Sequence, residues 1–113
     1  MVMLLLGDDF DRVKGQIARY ESDNGRYKIH VNADRTIDCG RWQINSRHFV
    51  ERDVVGKSFD TIFVKFGVGT ALHDRVAASI ANDRLNEALA RKIFELRGIK
   101  AWTSSRKFIK TKR

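Results

Sequence analysis

Cys39 is the only cysteine among 113 residues, so no intrachain disulfide can staple the fold. A chain of this length is long enough to bury one core without staples or metals, and a single domain over residues 1–113 is expected. Metal-ligand spacing is missing as well. His30, His48 and His73 are scattered along the chain, and neither a metal nor any other cofactor is expected. Long apolar runs are also absent. Residues 1–6 are apolar, but Asp8 and Asp9 cut the run short of a transmembrane span. The basic start and cleavage site of a signal peptide are lacking, so this stretch is expected to pack onto the fold. Acidic residues are few beside basic ones, 14 against 22, for a net charge of +8. Such a surface favours a polyanionic partner, either nucleic acid or an anionic bacterial envelope, and charge does not choose between them.

What the chain does contain begins with a helix. Asp8 or Asp9 is suited to cap it, and Asp11 in the first turn suits the positive helix end. Phe10, Val13, Ile17 and Tyr20, with Ala18, recur at three- and four-residue spacing and predict one apolar stripe. Gly15 weakens the helix a little. The turn formers Ser22-Asp23-Asn24-Gly25 end it near Glu21. A carboxyl at a helix C-terminus beside an apolar stripe is disfavoured as an anion by both dipole and desolvation, so a raised pKa is expected. Standing alone, Glu21 would read as a solvated last-turn glutamate.

From Tyr27 onward the period changes to two. Tyr27, Ile29 and Val31 alternate with Lys28 and His30, and Asn32-Ala33-Asp34-Arg35 supplies turn residues. A second β-like run leads through Thr36 and Ile37 into Asp38, Cys39 and Gly40, followed by Trp42-Gln43-Ile44-Asn45. The pattern predicts a small antiparallel sheet with Asp38 and Asn45 on polar positions facing a cleft. Taken singly, Asp38 is equally a turn-stabilising carboxylate. Cys39 beside it is either a nucleophilic thiol or, the favoured reading, a small filler in a strand.

Glu21-Ser22, Asn32-x-Asp34 and Asp38-x-Gly40-x-x-Gln43-Ile44-Asn45-Ser46-Arg47 together resemble the active-site stretch of animal c-type lysozymes. The interval of 17 positions from Glu21 to Asp38 fits that family without a gap. The Glu-Ser and Gly-x-x-Gln-Ile-Asn pieces are shared with the lytic transglycosylases of bacteria and phages. The resemblance implies that Glu21 is the general acid for the leaving glycosidic oxygen and Asp38 the nucleophile or electrostatic stabiliser. In a retaining glycosidase the two carboxyls lie about 5 Å apart, a spacing taken from that family, whose type case is a lysozyme. Asn32, Gln43 and Asn45 then brace the acids or bond sugar N-acetyl groups, Ser22 matches the serine after the acid, and Arg47 lies in the substrate-binding stretch. Where c-type lysozymes carry an aromatic pair after Ser-Arg, this chain has His48 and Phe49, so weaker sugar stacking is expected.

Residues 50–81 show little resemblance. Ser58 is expected to cap a helix over 59–66 closed by Gly67, and Thr70 one with Leu72, Val76 and Ile80 inward. Thr61-Ile62-Phe63-Val64 also reads as a strand on composition alone. Leu85, Ala88, Leu89, Ile93 and Leu96 predict a further stripe, stopped by Gly98. Ala90-Arg91-Lys92-Ile93 and Gly98-x-x-Ala101-Trp102 again resemble c-type lysozymes near their C-terminus. There the tryptophan packs on the catalytic acid, which makes Trp102 the implied apolar wall beside Glu21 and Ala101 a backbone contact to sugar. The basic end, Arg106 to Arg113, reads either as a solvated tail or as a docking strip for an anionic envelope.

The fold expected is α+β, lysozyme-like and mainly helical, with a small antiparallel β-sheet bordering an active-site cleft. The function expected is a monomeric muramidase acting on the β-1,4 bond between N-acetylmuramic acid and N-acetylglucosamine in peptidoglycan. The alternatives are a lytic transglycosylase that leaves 1,6-anhydromuramic ends, a lysozyme fold that binds glycan without cutting it, and, more remotely, a basic nucleic-acid-binding domain. The last leaves the ordered motifs unexplained, and no nucleic-acid partner is expected. A phage or bacterial enzyme acting on the cell wall is implied, carried in a virion or released by a phage lysis system.

Overall fold

The structure, a computed structural model, describes residues 7–102. The expectations for the apolar residues 1–6 and for the basic tail lie outside these residues. Four α-helices and a three-stranded antiparallel sheet make up the described chain: α1 (Gly7–Ser22), β1 (Ile29–Val31), β2 (Ile37–Cys39), β3 (Ile44–Asn45), α2 (Val54–Lys65), α3 (Leu72–Ala81) and α4 (Asp83–Arg97). Short 3-10 turns follow β3 (Ser46–Phe49) and α4 (Ile99–Ala101). The class is α+β. Among the described residues, no helix is long and apolar enough to cross a membrane.

α4 is the helix on which the others pack; α1, α2 and α3 all contact it. Its Asn82 cap accepts from the backbone N–H of Arg84 and Leu85, and Gly98, with φ of 73°, ends it where an L side chain would be strained. Leu85, Leu89, Ala90, Ile93 and Phe94 are buried along it. They meet Phe10, Ile17 and Ala18 of α1 and Val55, Phe59 and Phe63 of α2 in one core. Each large side chain so buried contributes about 1.5–3 kcal/mol relative to exposure.

Several expected faces are displaced. Tyr20 is exposed, and Ser22 takes the buried position one turn after Ala18, so the α1 stripe veers away from the tyrosine. Because α1 already includes Gly7, Asp8 and Asp9 lie inside the helix instead of capping it. Ile29, His30 and Val31 are all exposed, on one of the two edge strands of the sheet. Helix α2 starts before Ser58, because the Asp53 carboxylate accepts from the Gly56 N–H at 2.9 Å and caps it there. Only glycine fits that turn: a Cβ at 56 would lie 1.9 Å from the Glu51 carbonyl oxygen. Thr61–Val64 is helical. Ala71, not Thr70, precedes α3 and makes no side-chain cap. Leu96 is exposed and Ala88 only half-buried, while Phe94 and Asn86 face inward.

Helix α3 departs most from its pattern. Leu72 is exposed, Val76 and Ile80 are only partly buried, and the positions that point fully inward are Arg75 and Ser79. Arg75 is held by the Asp60 carboxylate at 2.6 Å, the carbonyl oxygens of Gly69 and Phe49 at 2.8 and 3.0 Å, and the face of Phe63. A buried cation persists only when paired and bonded in this way. It ties α3 to α2 and to the chain end of the first 3-10 turn.

The sheet is pinned to the helices by one side chain. Asn86, fully buried on α4, accepts from the Trp42 N–H at 2.8 Å and donates to the Cys39 carbonyl at 2.9 Å. Between them Gly40 has φ of 83°, and a Cβ there would sit 2.4 Å from the Asn86 carboxamide and 2.6 Å from the Ser79 carbonyl oxygen. Replacing Asn86 with alanine leaves the buried Trp42 N–H without its partner, which lowers the unfolding free energy by about 2 kcal/mol in urea titration. A loss below about 1 kcal/mol would show that the turn is held by something else.

Candidate active site

The last turn of α1 delivers Glu21 to a cleft of about 860 Å³. The sheet and its turns contribute Asn32, Asp34, Thr36, Asp38, Gln43 and Asn45 to the same cleft, and the first 3-10 turn contributes Arg47 and His48. Ile93, Arg97, Lys100, Ala101 and Trp102, from the end of α4 and the turn after it, complete the lining. Eight of the nine residues expected at a site therefore come together: Glu21, Asp38, Asn32, Gln43, Asn45, Arg47, Ala101 and Trp102.

Ser22 is the exception. It is buried, its hydroxyl donates to the Arg41 carbonyl at 2.7 Å and accepts from the Gly25 N–H at 2.7 Å, and it does not line the cleft. Its work is to fold the end of α1 back against the sheet, which sets the direction of Glu21.

Asp38 faces Asn45 across the β2–β3 register, and the Asn45 carboxamide donates to the Asp38 Oδ1 at 2.8 Å. The same nitrogen reaches the Thr36 hydroxyl at 3.0 Å, while Asn45 Oδ1 accepts from the Arg47 N–H at 2.9 Å and so caps the 3-10 turn. Asn32 donates to the Thr36 hydroxyl at 3.2 Å, and that hydroxyl donates to Asp34 at 2.6 Å. One chain of amides and a hydroxyl thus links the β1–β2 turn to the 3-10 turn after β3 and orients the Asp38 carboxylate. Gln43, at φ of 52°, folds its carboxamide onto the carbonyls of Gly40 and Asp38 at 3.0 and 3.3 Å. It braces the strand that carries Asp38.

The electrostatics separate the ionisable groups of this region. Asp34 is held below the usual carboxylate range, first by the Thr36 hydroxyl and then by the Thr36 N–H. Burial against Phe59, whose ring His48 meets edge-on at 5.9 Å, lowers the His48 pKa, against the pull of Glu51 upward. His48 is therefore a neutral ring at neutral pH, pinned by Glu51 at 3.2 Å. Cys39 has no exposed surface, and burial, with the nearby Asp38 charge, pushes its thiol up to about 12. It is a core filler; the nucleophile reading fails because thiolate is the reactive form. Trp102 is buried, its indole N–H donating to the Trp42 carbonyl at 2.8 Å, so it is a fixed wall of the cleft.

Thr36, Arg97 and Lys100 carry no motif and were legible only as ordinary strand or helix-end residues. The spacing of Arg97 and Lys100 by three across a helix end was the one available signal that both face the same way. Among the described residues, no group of histidine, cysteine, aspartate or glutamate could hold a metal ion. Comparison with family models, with curated proteins and with solved structures gives no match.

A depressed carboxylate pKa favours the folded state above the unfolded pKa, and that contribution fades as pH falls through the folded value. In Thr36→Val, which keeps the backbone N–H, the Asp34 pKa rises part of the way toward its ordinary value in carboxyl-carbon NMR titration, and its share of the acid-side fall in stability shrinks. An unchanged Asp34 titration would separate Thr36 from the network.

Proposed function

We propose that this chain is a lysozyme-like muramidase that cleaves peptidoglycan between N-acetylmuramic acid and N-acetylglucosamine. The observation that carries the reading is the meeting of Glu21 and Asp38, from α1 and β2, in one cleft, with the Asp38 carboxylate fixed by Asn45. A carboxylic acid near an apolar wall and a second carboxylate in a polar, hydrogen-bonded setting are the two groups that glycosidic cleavage needs. Here the apolar side is Ile93 and Trp102, and the polar side is Asp38, Asn45, Thr36 and Asn32.

Glu21 gives its proton to the leaving glycosidic oxygen as the C1–O bond breaks. Asp38, ionised, bonds to C1 or stabilises the positive charge that develops there, and Glu21, now a carboxylate, accepts a proton from the attacking hydroxyl. If that hydroxyl is water the product is a reducing muramic end, and if it is the muramyl 6-hydroxyl the product is a 1,6-anhydro end. A second carboxylate braced at the cleft favours hydrolysis, because intramolecular attack manages with one acid.

Mass spectrometry of muropeptides released from purified peptidoglycan tests this, with wild type and Glu21→Gln in parallel. Reducing muramic ends from the wild type alone are expected, while retention on DNA is the same for both proteins. Anhydro ends would establish the transglycosylase and make Asp38 a supporting group. Absence of glycan products from wild type would overturn the enzyme reading. The rate is expected to follow a bell-shaped pH profile, rising as Asp38 ionises and falling as Glu21 loses its proton; a flat profile contradicts the two-carboxyl mechanism.

A further inference from the structure

Three permanent cations line the cleft: Arg47, Arg97 and Lys100. Arg97, in the last turn of α4, and Lys100, three residues on, come from the same helix end. Arg97 is anchored by Asp53 at 3.3 Å, and Asp53 lies within the electrostatic reach of His48, itself within that of Arg47. These groups therefore gather where the first 3-10 turn meets the end of α4. Lys100 is exposed, makes no ion pair with any other described residue, and immediately precedes the Ala101–Trp102 wall.

The same mouth is poor in what usually binds neutral sugars. Among the described residues, the aromatic side chains lining the cleft are His48 and Trp102. The His48 side chain is 14% exposed and held edge-on to Phe59, and Trp102 is buried to 4%, so neither offers a broad ring face to a pyranose. Stacking is therefore a small part of affinity here, and charge has to supply the rest.

We infer that Arg97 and Lys100 form a carboxylate-recognising subsite, which makes the preferred ligand a glycan bearing acidic substituents, the lactyl and peptide carboxylates of peptidoglycan, in place of a neutral N-acetylglucosamine polymer. The inference rests on the glycan-cleaving reading for the identity of the ligand. The two cations sit beside a wall of the cleft, where a substituent projecting from a bound sugar meets them. Exposed ion pairs are individually weak and screened by salt, so the selectivity is ionic-strength dependent and fades above about 0.5 M, where the screening length falls to a few ångström.

The test measures equilibrium binding, which does not depend on turnover, in a Glu21→Gln background. The probes are sonicated peptidoglycan strands, the same strands with their carboxyls amidated, and the N-acetylglucosamine hexamer. Arg97→Gln/Lys100→Gln is compared with Lys65→Gln/Arg84→Gln, a pair of equal charge outside the cleft. Loss of roughly tenfold in affinity for native strands is expected from the first pair alone, with no change on the hexamer and none on amidated strands. Equal loss from both pairs would reduce the effect to net charge and overturn the subsite, as would no loss from either, or no binding of native strands by the parent. Intact carboxyl-dependent binding with no muropeptide release by wild type would instead overturn the muramidase reading and leave the subsite standing.

Discussion

The Asn86 carboxamide reaches from the middle of α4 to the β2–β3 turn and is bonded on both of its sides, to the Trp42 N–H and to the Cys39 carbonyl. Around it the four residues 39–42 gather several hydrogen-bonded ties between the sheet and the helices. Trp42 donates its indole N–H to the Lys14 carbonyl of α1, Arg41 offers its carbonyl to Ser22, and the Trp42 carbonyl receives the indole of Trp102. Without this junction a three-stranded sheet with strands of two and three residues would have no independent stability. The cleft exists because the junction fixes the end of α1, the sheet and the turn after α4 against one another.

That arrangement explains how local groups with ordinary chemistry become a site. Asp38 is on a short strand that would fray if isolated, yet its neighbour Asn45 is held at one end by Thr36 and at the other by the 3-10 turn it caps. Gln43 closes the tight bend with a positive φ, a conformation sustained by its bonds to Gly40 and Asp38. Polar bracing of this kind orients an acid without burying it. Arg75 does the corresponding work on the far helices, where its guanidinium donates to the carbonyls of Gly69 and Phe49.

How much of this was legible beforehand depended on range. Residues whose roles are set by near neighbours were readable: α1 ending at a run of turn formers, the turn over residues 32–35, and Gly98 stopping α4; the gathering of Glu21, Asp38, Asn32, Gln43, Asn45 and Trp102 was implied only by the resemblance of their motifs to those of lysozymes. Roles set by distant partners were not. Ser22 looks like a polar residue beside an acid, and only the Arg41 carbonyl, 19 positions away, makes it a buried brace. Arg75 and Asn86 break the apolar pattern of their helices, and periodicity has no means of showing that carbonyls 26 and 47 positions away would compensate them. Helix α2 was misplaced because the Asp53 cap and the close approach at Gly56 signal its start more strongly than Ser58 does. β1 shows the converse, an alternating pattern on an outer strand that buries neither face.

Trp102 is sealed into the fold by a bond to a residue 60 positions earlier, and it is the wall against which the cleft closes. During synthesis, Glu21 and Asp38 emerge long before that wall does. A nascent chain released too early carries both acids and lacks the surface beside them. The cleft is thus finished only once Trp102, the last of its described lining, has left the ribosome.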